Sequence, residues 1–494
     1  MKRAVAQLER YLDKIEGYTK GTVVLATVFG DVHDIGKSLV NTILTNNGYT
    51  VVDLGKQVPI QTILDAAVEH EATAIGLSAL LVSTSKQMPA CIQELHAKKL
   101  GYPVLIGGAA INRAFGYRAL YPAGKDSEEV YEPGVFYCKD AFEGLAVMDQ
   151  LIDSDAHAAL LGKLRAGATE FRQKGDVPEE ELNFADDSVR SAARADAPVP
   201  TPPFWGVREI DIDLEEVYRH LDTHVLFKLH WGGKGVKGEA WQTLLRDDFR
   251  PRLERMWREQ DYLQPRALLG FFPCYSQGND IVVLDPDDRK TELTRFVCPR
   301  QPKGDRLCLA DFFRPAIDGA APPELDVIAV QAVTVGSEVT ELMAKLESDG
   351  EFAEQLFVHG LGVQTAEGLA EWLHFRVREM LGIDAAQGRR YSWGYPAVPE
   401  QSEHLKVEKL LGLGHIGISI TGGYAPDPEQ STLALVAHHP QATYFGTRQG
   451  RLLANGSPDD LIRGSSRDPS LFGELDDSDP PEGAVEEEDE PALT

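Results

Sequence analysis

Short β-branched runs alternate with amphipathic helical segments over residues 21–155, and this alternation limits the possible folds more than any other feature. The strand-like runs are GTVVLATV, YTVVDLG, TAIGLSALL, YPVLIGG and GVFYCKDA. Helical segments of about ten to fifteen residues between strands are typical of βαβ units, which build a parallel sheet with right-handed crossovers. We therefore expect an α/β domain, a doubly wound parallel-sheet (Rossmann-like) fold whose ligand lies at the carboxyl ends of the strands.

The remainder of the chain divides by composition. Residues 1–20 are charged and amphipathic, which predicts one helix. Residues 156–200 are polar and rich in Ala, Asp and Pro, which predicts a linker. Strand-like runs and long helical patterns mix in residues 201–465 and predict an α+β domain. Residues 466–494 are acidic with almost no large apolar side chains, so we expect a disordered tail.

Charge and cysteine content exclude several classes of protein. The 494 residues, enough for about three structural units, carry 49 basic and 77 acidic side chains and a formal charge of −28. Such an acidic chain does not predict nucleic-acid binding, and no apolar run predicts a membrane span or a signal peptide. The five cysteines lie far apart without a CxxC pair, so we expect reduced thiols, a cytoplasmic protein and no zinc site.

The loop after the first predicted strand carries the pattern D-x-H-x-x-G, formed by Asp31, His33 and Gly36. This loop lies at the edge of a parallel sheet where ligands bind. An imidazole there can bind a metal while a carboxylate two residues earlier fixes its tautomer. Taken alone the pattern is weak, because three residue types recur by chance and a histidine in a surface loop is the commoner explanation.

Small and hydroxyl-bearing residues at the ends of the next strands support a binding site. Ser78 ends the third predicted strand and Thr84 follows it, while Gly107 and Gly108 end the fourth strand. Small side chains at successive strand ends leave a slot beside the sheet. A nucleotide-like tail fits such a slot.

Together these residues resemble the cobalamin-binding domain of B12-dependent methionine synthases and related corrinoid proteins, whose motifs are D-x-H-x-x-G, S-x-L and G-G. The resemblance implies that His33 is the lower ligand of the cobalt of cobalamin. It also implies that Asp31 and the hydroxyl of Thr84 form a relay with His33, and that Val82 stands where the family has a second hydroxyl. A proton at Asp31 would make His33 a poorer ligand. Further implied cofactor contacts are Gly30, Val32, Asp34, Gly36, Ser78, Leu80, Val82, Gly107, Gly108 and Ala141.

A second resemblance covers about residues 203–446. The segment beginning at Arg390 carries R-x-x-x-G-Y-P, which alone favours an ordinary aromatic loop. Beside the first domain it resembles the activation domain of methionine synthases, which binds S-adenosyl-L-methionine (AdoMet). The resemblance implies that Asp222 binds the α-ammonium group and Arg390 the carboxylate. The other implied contacts are Ser392, Gly394, Tyr395, Tyr444 and, in place of a second tyrosine, Phe445.

Several residues depart from these patterns or compete with them. Gly422 and Gly423 stand where the family often has Glu-Ser, which predicts a different contact with cofactor or ligand. His224 and His230 lie in an apolar stretch, where a structural role is the commoner one. The pair His438-His439 is not expected to bind one metal, because neighbouring residues on a strand point to opposite faces.

The resemblance implies the C-terminal half of a methionine synthase, either a fragment or a separate subunit, with residues 1–20 as the last helix of a cap. It implies methylcobalamin as the carrier between methyltetrahydrofolate and homocysteine, with AdoMet and one electron restoring the methylated form. The implied partners are the homocysteine- and folate-binding domains and a flavodoxin or flavoprotein reductase. Zinc is not expected in this chain.

The sequence leaves two alternatives open. The first domain alone permits a corrinoid shuttle protein that serves another methyl donor, such as methanol or a methylamine, although the AdoMet-type motifs argue against it. A B12-responsive sensor or storage module would carry a DNA-binding or signalling segment, and the sequence shows none.

Overall fold

The computed structural model describes residues 19–124, 129–173 and 190–447. The strands of the first region are β1 (Thr22–Thr27), β2 (Thr50–Asp53), β3 (Ala74–Ser78), β4 (Val104–Gly107) and β5 (Val135–Tyr137). They form a parallel sheet with the order β2-β1-β3-β4-β5. Its helices are α1 (Ile35–Asn46), α2 (Ile60–Glu69), α3 (Val82–Ser85), α4 (Gln87–Ala97), α5 (Arg113–Ala119), α6 (Ala141–Leu151) and α7 (Ser154–Gln173). This arrangement confirms the predicted doubly wound fold, in which the strand order reverses between β1 and β3.

The register of the sheet brings the carboxyl ends of three strands together. Thr27 pairs with Ser78, and Ser78 pairs with Gly107. Buried aliphatic side chains alternate between the two faces of β1, so that Val24 and Ala26 join one apolar cluster while Val23 and Leu25 join another. Because both faces of the sheet are covered by helices, the exposed carboxyl edge is the natural place for a ligand.

Helix α7 belongs by its packing to the first region, although the composition of residues 156–200 predicts a linker. Ala168 is completely buried in the core on one side of the sheet, and Leu164 packs against both apolar clusters. Apolar residues are sparse in this helix, but they recur on one face, and that face is enough to seat it on the domain.

The second region is built around an antiparallel sheet of seven strands. They are β6 (Gly206–Glu209), β7 (Arg266–Gln277), β8 (Asp280–Leu284), β9 (Glu292–Val297), β10 (Asp326–Thr334), β11 (Arg389–Ser392) and β14 (Ser431–Ala437). The order is β11-β14-β10-β7-β8-β9, while β6 pairs with β7. A separate hairpin is formed by β12 (Ser419–Ile420) and β13 (Pro426–Asp427). This region is the α+β domain that the sequence predicts.

Helices of the second region pack against both faces of its sheet. They are α8 (Leu214–Arg219), α9 (Thr223–Val225), α10 (Gly238–Leu244), α11 (Arg250–Arg258), α12 (Glu338–Ser348), α13 (Phe352–Leu381) and α14 (His404–Leu411). Helix α9 continues as a π-helical turn, Leu226–His230, and a second π-helical turn, Leu245–Phe249, joins α10 to α11. Helix α13 runs unbroken for 30 residues. Its internal glycines allow close packing, since a Cβ at Gly360 would lie 2.7 Å from that of His230.

Residues 190–200 run along the second region. Arg190 donates hydrogen bonds to the hydroxyl of Ser276 (2.9 Å) and to the carbonyl oxygen of Asp311 (2.9 Å). The Asp311 carboxylate is fully buried and accepts bonds from Arg300 (2.6 Å) and from the backbone N–H of Ser191 (3.0 Å). This buried ion pair therefore fastens the chain that enters the domain to the domain itself.

Some sequence-based predictions fall outside the described residues. These are most of the predicted cap helix of residues 1–20, the middle of the predicted linker and the predicted acidic tail of residues 466–494. Across the described ranges, every helix is too short or too polar to cross a lipid bilayer.

Candidate functional site

The Asp31 carboxylate organises the loop that follows β1. One of its oxygens, Oδ1, accepts hydrogen bonds from the ring Nδ1 of His33 (2.7 Å) and from the backbone N–H of the same residue (3.1 Å). The other, Oδ2, accepts from the hydroxyl of Thr84 (2.6 Å) and from the backbone N–H groups of Leu80 (2.9 Å) and Leu81 (3.3 Å). The structure thus brings together the three residues of the predicted relay, although they span more than fifty positions of the chain.

The hydrogen bonds around Asp31 decide its charge. Burial raises the pKa of a carboxyl group, but the bonds from His33 and Thr84 outweigh burial and lower the pKa of Asp31 to about 2. Burial lowers the pKa of His33, whereas Asp31 and the nearby Glu429 raise it, and the net pKa of His33 lies above its usual value. Because Nδ1 is held by a permanent carboxylate, Nε2 is the ring nitrogen left for a ligand.

Lys37 holds the other end of the same loop, and it was not predicted from the sequence. The side chain is buried and pairs with Asp34 (3.3 Å) and with Asp53 of the neighbouring strand. The Asp34 carboxylate also accepts a bond from the hydroxyl of Thr27 (2.6 Å). A buried lysine is stable only when paired, so these contacts fix the start of α1 relative to β1 and β2.

The predicted slot lies at the ends of β3 and β4. Ser78 and Gly107 are paired neighbours there, and both are partly exposed. Gly108 needs to be glycine because its φ is +128° and a Cβ would collide with the carbonyl oxygen of Ala79. Large side chains are therefore kept out of this edge by backbone packing.

The remaining predicted cofactor contacts differ in accessibility. Leu80 and Val82 are exposed apolar residues at this edge, as a site for an apolar ligand requires. Val32 is fully buried, and Ala141 is buried at the start of α6. Gly36 is exposed with open space where a Cβ would stand. A donor nitrogen, small side chains and apolar rims are what base-off cobalamin bound through histidine would need, so the donor set fits that cofactor.

Arg390 stands at the centre of the predicted second site. Its guanidinium lies 3.3 Å from Glu367 and 3.9 Å from Glu371, two carboxylates one turn apart on α13. Burial lowers the pKa of Arg390, but these carboxylates outweigh burial and raise it. Neither glutamate was predicted from the sequence, because isolated carboxylates on a long helix are usually solvated. Their spacing of four residues, which puts both carboxylates on one face of a helix, could have indicated that they act together.

Aromatic residues surround this arginine. Glu367, and then burial, raises the pKa of Tyr395 to about 12, although half of that side chain is exposed. Tyr444 lies with its ring 5.5 Å from that of Tyr391, and burial raises its pKa. Phe445 is buried and packs in the core near Tyr391 instead of facing the partly exposed arginine cluster. The structure therefore brings Tyr395 and Tyr444 within electrostatic reach of Arg390 and sets Phe445 inward.

Three other predicted contacts of this site have local structural roles. Asp222 caps α9, where its carboxylate accepts a bond from the backbone N–H of Val225 (2.9 Å). Ser392 accepts a long hydrogen bond from Arg390 (3.4 Å). Gly394 has a φ of +90°, which favours glycine, and its N–H donates to the carbonyl oxygen of Val398 (2.9 Å). These contacts place Asp222 at a helix start and Ser392 beside Arg390.

A second group of titratable residues, from the second region, faces His33. Glu429 is almost buried, and burial raises its pKa to about 7 in spite of the nearby His33 and Lys56. His359 of α13 lies 3.9 Å from Glu429, and burial together with His230 and His33 lowers its pKa to about 4. No pattern in the sequence pointed to this group, since its members lie hundreds of positions from His33.

The adjacent histidines considered in the sequence are packed within the second region. The ring of His438 is buried and bonded to Asp326 (2.6 Å), whereas His439 bonds the backbone oxygen of Arg194 (2.9 Å). His224 is exposed. The two adjacent histidines thus contact different partners, as expected for neighbouring positions at the end of a strand.

The fold and this geometry define a corrinoid-type α/β domain joined to a second, sheet-based domain, and family models agree with that class. Residues 21–119 match the B12 binding domain. Residues 213–450 match the activation domain of vitamin B12 dependent methionine synthase. The chain therefore carries a B12 binding domain followed by an activation domain of the methionine synthase type, which confirms the resemblance found in the sequence.

Known relatives cover nearly the whole chain. It is 37% identical over 497 aligned positions to the methionine synthase of Mycobacterium leprae (strain TN), and 36% over 490 to that of Mycobacterium tuberculosis (strain ATCC 25618 / H37Rv). Each alignment covers 90% of this chain but only 40% of the relative. Among solved structures, the MetH reactivation domain bound to AdoHcy matches with 24% identity and a TM-score of 0.44, covering 58% of this chain and 91% of that one.

Proposed function

We propose that this chain is the cobalamin-binding and reactivating half of a methionine synthase. When bound, cobalamin would supply a cobalt centre that carries a methyl group from methyltetrahydrofolate to homocysteine and regains it from AdoMet with one electron. The single observation that carries the proposal is the fully buried Asp31 carboxylate, which holds His33 through Nδ1 and Thr84 through its hydroxyl. Hydrogen bonds that fix the orientation of an imidazole ring are typical of histidines that bind a metal, and packing alone does not require them.

On the first domain, His33 would hold the cofactor through Nε2, and Asp31 would keep the proton on Nδ1. Thr84 stabilises the charged form of Asp31 and so sets how strongly His33 donates. Ser78 and Gly107 would leave room for the cofactor tail, while Leu80 and Val82 would line its path. Gly30, Val32, Asp34, Gly36, Gly108 and Ala141 are the remaining proposed contacts.

On the second domain, Arg390 would bind the carboxylate of AdoMet, and Asp222 its ammonium group. The two glutamates beside Arg390 already pair with the guanidinium, so a ligand carboxylate would share this arginine with them. Glu367 is partly exposed and offers a second anionic group for an ammonium. Ser392, Gly394, Tyr395 and Tyr444 complete the proposed AdoMet site, whereas Phe445 packs inward.

The proposed roles also imply partners and a division of the chain. Residues 21–155 would carry the cofactor and residues 201–465 would reactivate it, with the homocysteine- and folate-binding domains supplied from outside these 494 residues. A flavodoxin or a flavoprotein reductase would supply the electron. The relatives' greater length supports this view, because the chain covers 40% of each.

Transfer of label from methyl-labelled AdoMet to cobalamin under reducing conditions tests the proposed function. The unmodified chain should transfer label, and Arg390→Ala should lose most of the transfer. Arg376→Ala is the matched control, because Arg376 lies on α13, is more exposed and pairs with Glu379 (2.7 Å). Absence of transfer from the unmodified chain, or equal loss in both variants, would contradict the proposal.

A further inference from the structure

The guanidinium of Arg390 meets two glutamates of α13 along different edges. Its Nε lies 3.9 Å from Oε2 of Glu371, whose side chain is 18% exposed. The terminal nitrogen Nη2 lies 3.3 Å from Glu367, whose side chain is 43% exposed, and Nη1 donates a long hydrogen bond to the hydroxyl of Ser392 (3.4 Å). The Nε edge therefore faces the more buried carboxylate, while the terminal nitrogens face the more exposed one and a hydroxyl.

His374 contacts the other oxygen of Glu371. This imidazole lies one turn further along α13 and is 2% exposed, and its Nδ1 lies 3.5 Å from Oε1 of the carboxylate. Oε1 is the oxygen that does not face Arg390. The second ring nitrogen of His374, Nε2, has no hydrogen-bond partner in the part of the chain that the structure describes. Burying an imidazole with an unpaired nitrogen costs free energy, so packing alone does not account for a histidine at this position.

The charge of Glu371 is fixed by its neighbours. Burial raises the pKa of this carboxyl group, but His374, Arg390 and Arg378 outweigh burial and lower the pKa to about 2. Burial lowers the pKa of His374 in spite of the nearby carboxylate, so the imidazole is neutral and can donate from Nδ1. Arg378 is itself fastened to the chain that enters β11, where it donates to the carbonyl oxygen of Gln387 (2.9 Å). A permanent carboxylate with a neutral donor behind it therefore stands at the Nε edge of Arg390.

We propose that Glu371, held by His374, is a positioning residue that orients Arg390 to receive the carboxylate of AdoMet through both terminal nitrogens. The inference deepens the proposed function and rests on it, because it takes Arg390 as the residue that binds this carboxylate. A guanidinium binds a carboxylate through two nitrogens of one edge, and Glu371 stands at the Nε edge. The end formed by Nη1 and Nη2 is left for the ligand, which displaces Glu367 from Nη2 and leaves Glu371 in place.

An arginine that is already oriented binds a carboxylate at a lower entropic cost. A free arginine side chain populates many rotamers, and binding selects one of them. Glu371 makes that selection before the ligand arrives, which is worth up to about tenfold in affinity. His374 in turn keeps the carboxylate of Glu371 turned towards Nε. The effect should be confined to ligands that carry a carboxylate, because both residues act only through Arg390.

The first experiment compares two ligands of the full chain by titration calorimetry. Decarboxylated AdoMet keeps the sulfonium and ammonium groups of AdoMet and lacks only the carboxylate. Glu371→Asp keeps the charge but withdraws it from Arg390 by one methylene, so it should weaken AdoMet about tenfold and leave decarboxylated AdoMet unchanged. Glu379→Asp is the matched control, because Glu379 is exposed on the same helix and pairs with Arg376 (2.7 Å). The control should change neither affinity.

The second experiment tests the histidine with two variants of similar size. His374→Leu removes the donor behind Glu371, whereas His374→Asn keeps an amide donor near the position of Nδ1. His374→Leu should weaken AdoMet roughly fivefold, and His374→Asn should restore most of that affinity. Decarboxylated AdoMet should bind equally to both variants and to the unmodified chain. A histidine that served packing alone would affect both ligands alike, and that result would overturn its positioning role.

A double-mutant cycle separates the inference from the proposed function. In an Arg390→Ala background, Glu371→Asp should not weaken AdoMet further, because the glutamate acts through the arginine. A further loss in that background would overturn the inference and leave the proposed function intact. So would an equal loss of both ligands in the single variant Glu371→Asp, or unchanged or tighter AdoMet binding by it. If the unmodified chain binds neither ligand, the proposed function fails, and the inference fails with it.

Discussion

The two domains build their candidate sites around carboxylates in opposite ways. In the first domain a single buried carboxylate, Asp31, gathers donors from one loop and from the start of α3. In the second domain a single arginine, Arg390, gathers Glu367 and Glu371 from a helix that precedes it in sequence. The first site is built from one loop together with Thr84, which is distant in sequence. The residues of the second site come together only when the domain folds.

A second pair of carboxylates extends the comparison. Asp31 and Asp311 are both completely buried, and each accepts several hydrogen bonds. Asp31 orients the residue proposed to bind the cofactor, whereas Asp311 joins Arg300 and the chain entering the second domain. A buried charged group therefore indicates a binding site only when the residue that it orients is itself accessible to a ligand.

The largest expected effect comes from removing each buried carboxylate in turn. Asp311→Ala leaves Arg300 charged and buried without this carboxylate, so the free energy of unfolding of the second domain should fall by about 3–5 kcal/mol. Asp31→Ala leaves the hydrogen-bond donors of His33, Leu80 and Thr84 without their acceptor. It should therefore lower the free energy of unfolding of the first domain by about 3 kcal/mol. Urea unfolding measured by two optical signals distinguishes these effects.

The optical signals report different domains. Fluorescence reports the second domain, because all six tryptophans lie there, whereas circular dichroism reports both domains. Those tryptophans are Trp205, Trp231, Trp241, Trp257, Trp372 and Trp393. Asp311→Ala should move the fluorescence transition, and Asp31→Ala should move mainly the transition seen by dichroism. An equal shift of the fluorescence transition in both variants would break the distinction between a structural and a site carboxylate.

A smaller effect is expected on stability at low pH: in both domains, a carboxyl group with a lowered pKa makes the free energy of unfolding fall as the pH falls. The pKa of Asp31 and that of Glu371 are each lowered to about 2, from usual values of 3.8 and 4.5. A lowered pKa contributes stability that is present above the usual pKa and is lost as pH falls towards the folded value. Between pH 5 and pH 3, Asp31→Asn should therefore remove on the order of 1 kcal/mol of the acid-induced loss of stability.

Unfolding by urea at pH 5 and at pH 3 measures this effect. Glu371→Gln should flatten the fluorescence-detected acid loss in the second domain, while Asp31→Asn flattens the loss seen by dichroism. Asp65→Asn is a control in the first domain, since Asp65 is exposed. Acid sensitivity that is unchanged in Asp31→Asn would show that its hydrogen bonds do not lower the pKa of this carboxyl group.

The smallest expected effect concerns a contact that the first domain lacks. The sequence resemblance implies that Val82 stands where the family has a hydroxyl, and its side chain is exposed. Val82→Ser should strengthen methylcobalamin binding by up to about fivefold, as one added hydrogen bond near 1 kcal/mol allows. Val68→Ser, at an equally exposed position on α2, should have no effect. Weaker binding by Val82→Ser would show that Val82 itself contacts the cofactor.

Local patterns explain why the first domain could be predicted from sequence. β-branched runs separated by helices predicted the sheet, and Asp31 lies two residues from His33, so the pair needed no folded context. Thr84 was found through family resemblance, and the structure places its hydroxyl on Asp31.

Long-range packing explains what the sequence did not reveal. Glu371 and Glu429 are ordinary acidic residues until the fold buries them beside a cation or an imidazole. Glu367 stays partly exposed, and only the fold brings it to Arg390. The contact between Gly30 and Gly423 joins residues nearly four hundred positions apart. The sequence identified Gly422 and Gly423 as unusual, but only the structure shows that both glycines lie against the surface of the first domain.

The most direct test of the central claim is the absorption spectrum of methylcobalamin bound to the full chain and to His33→Gly. Ligation by His33 predicts a spectral difference between the two complexes, and added imidazole should restore the spectrum of the unmodified chain in the variant. Identical spectra for both proteins, with cofactor bound, would show that His33 does not bind cobalt and would contradict the relay role of Asp31 and Thr84.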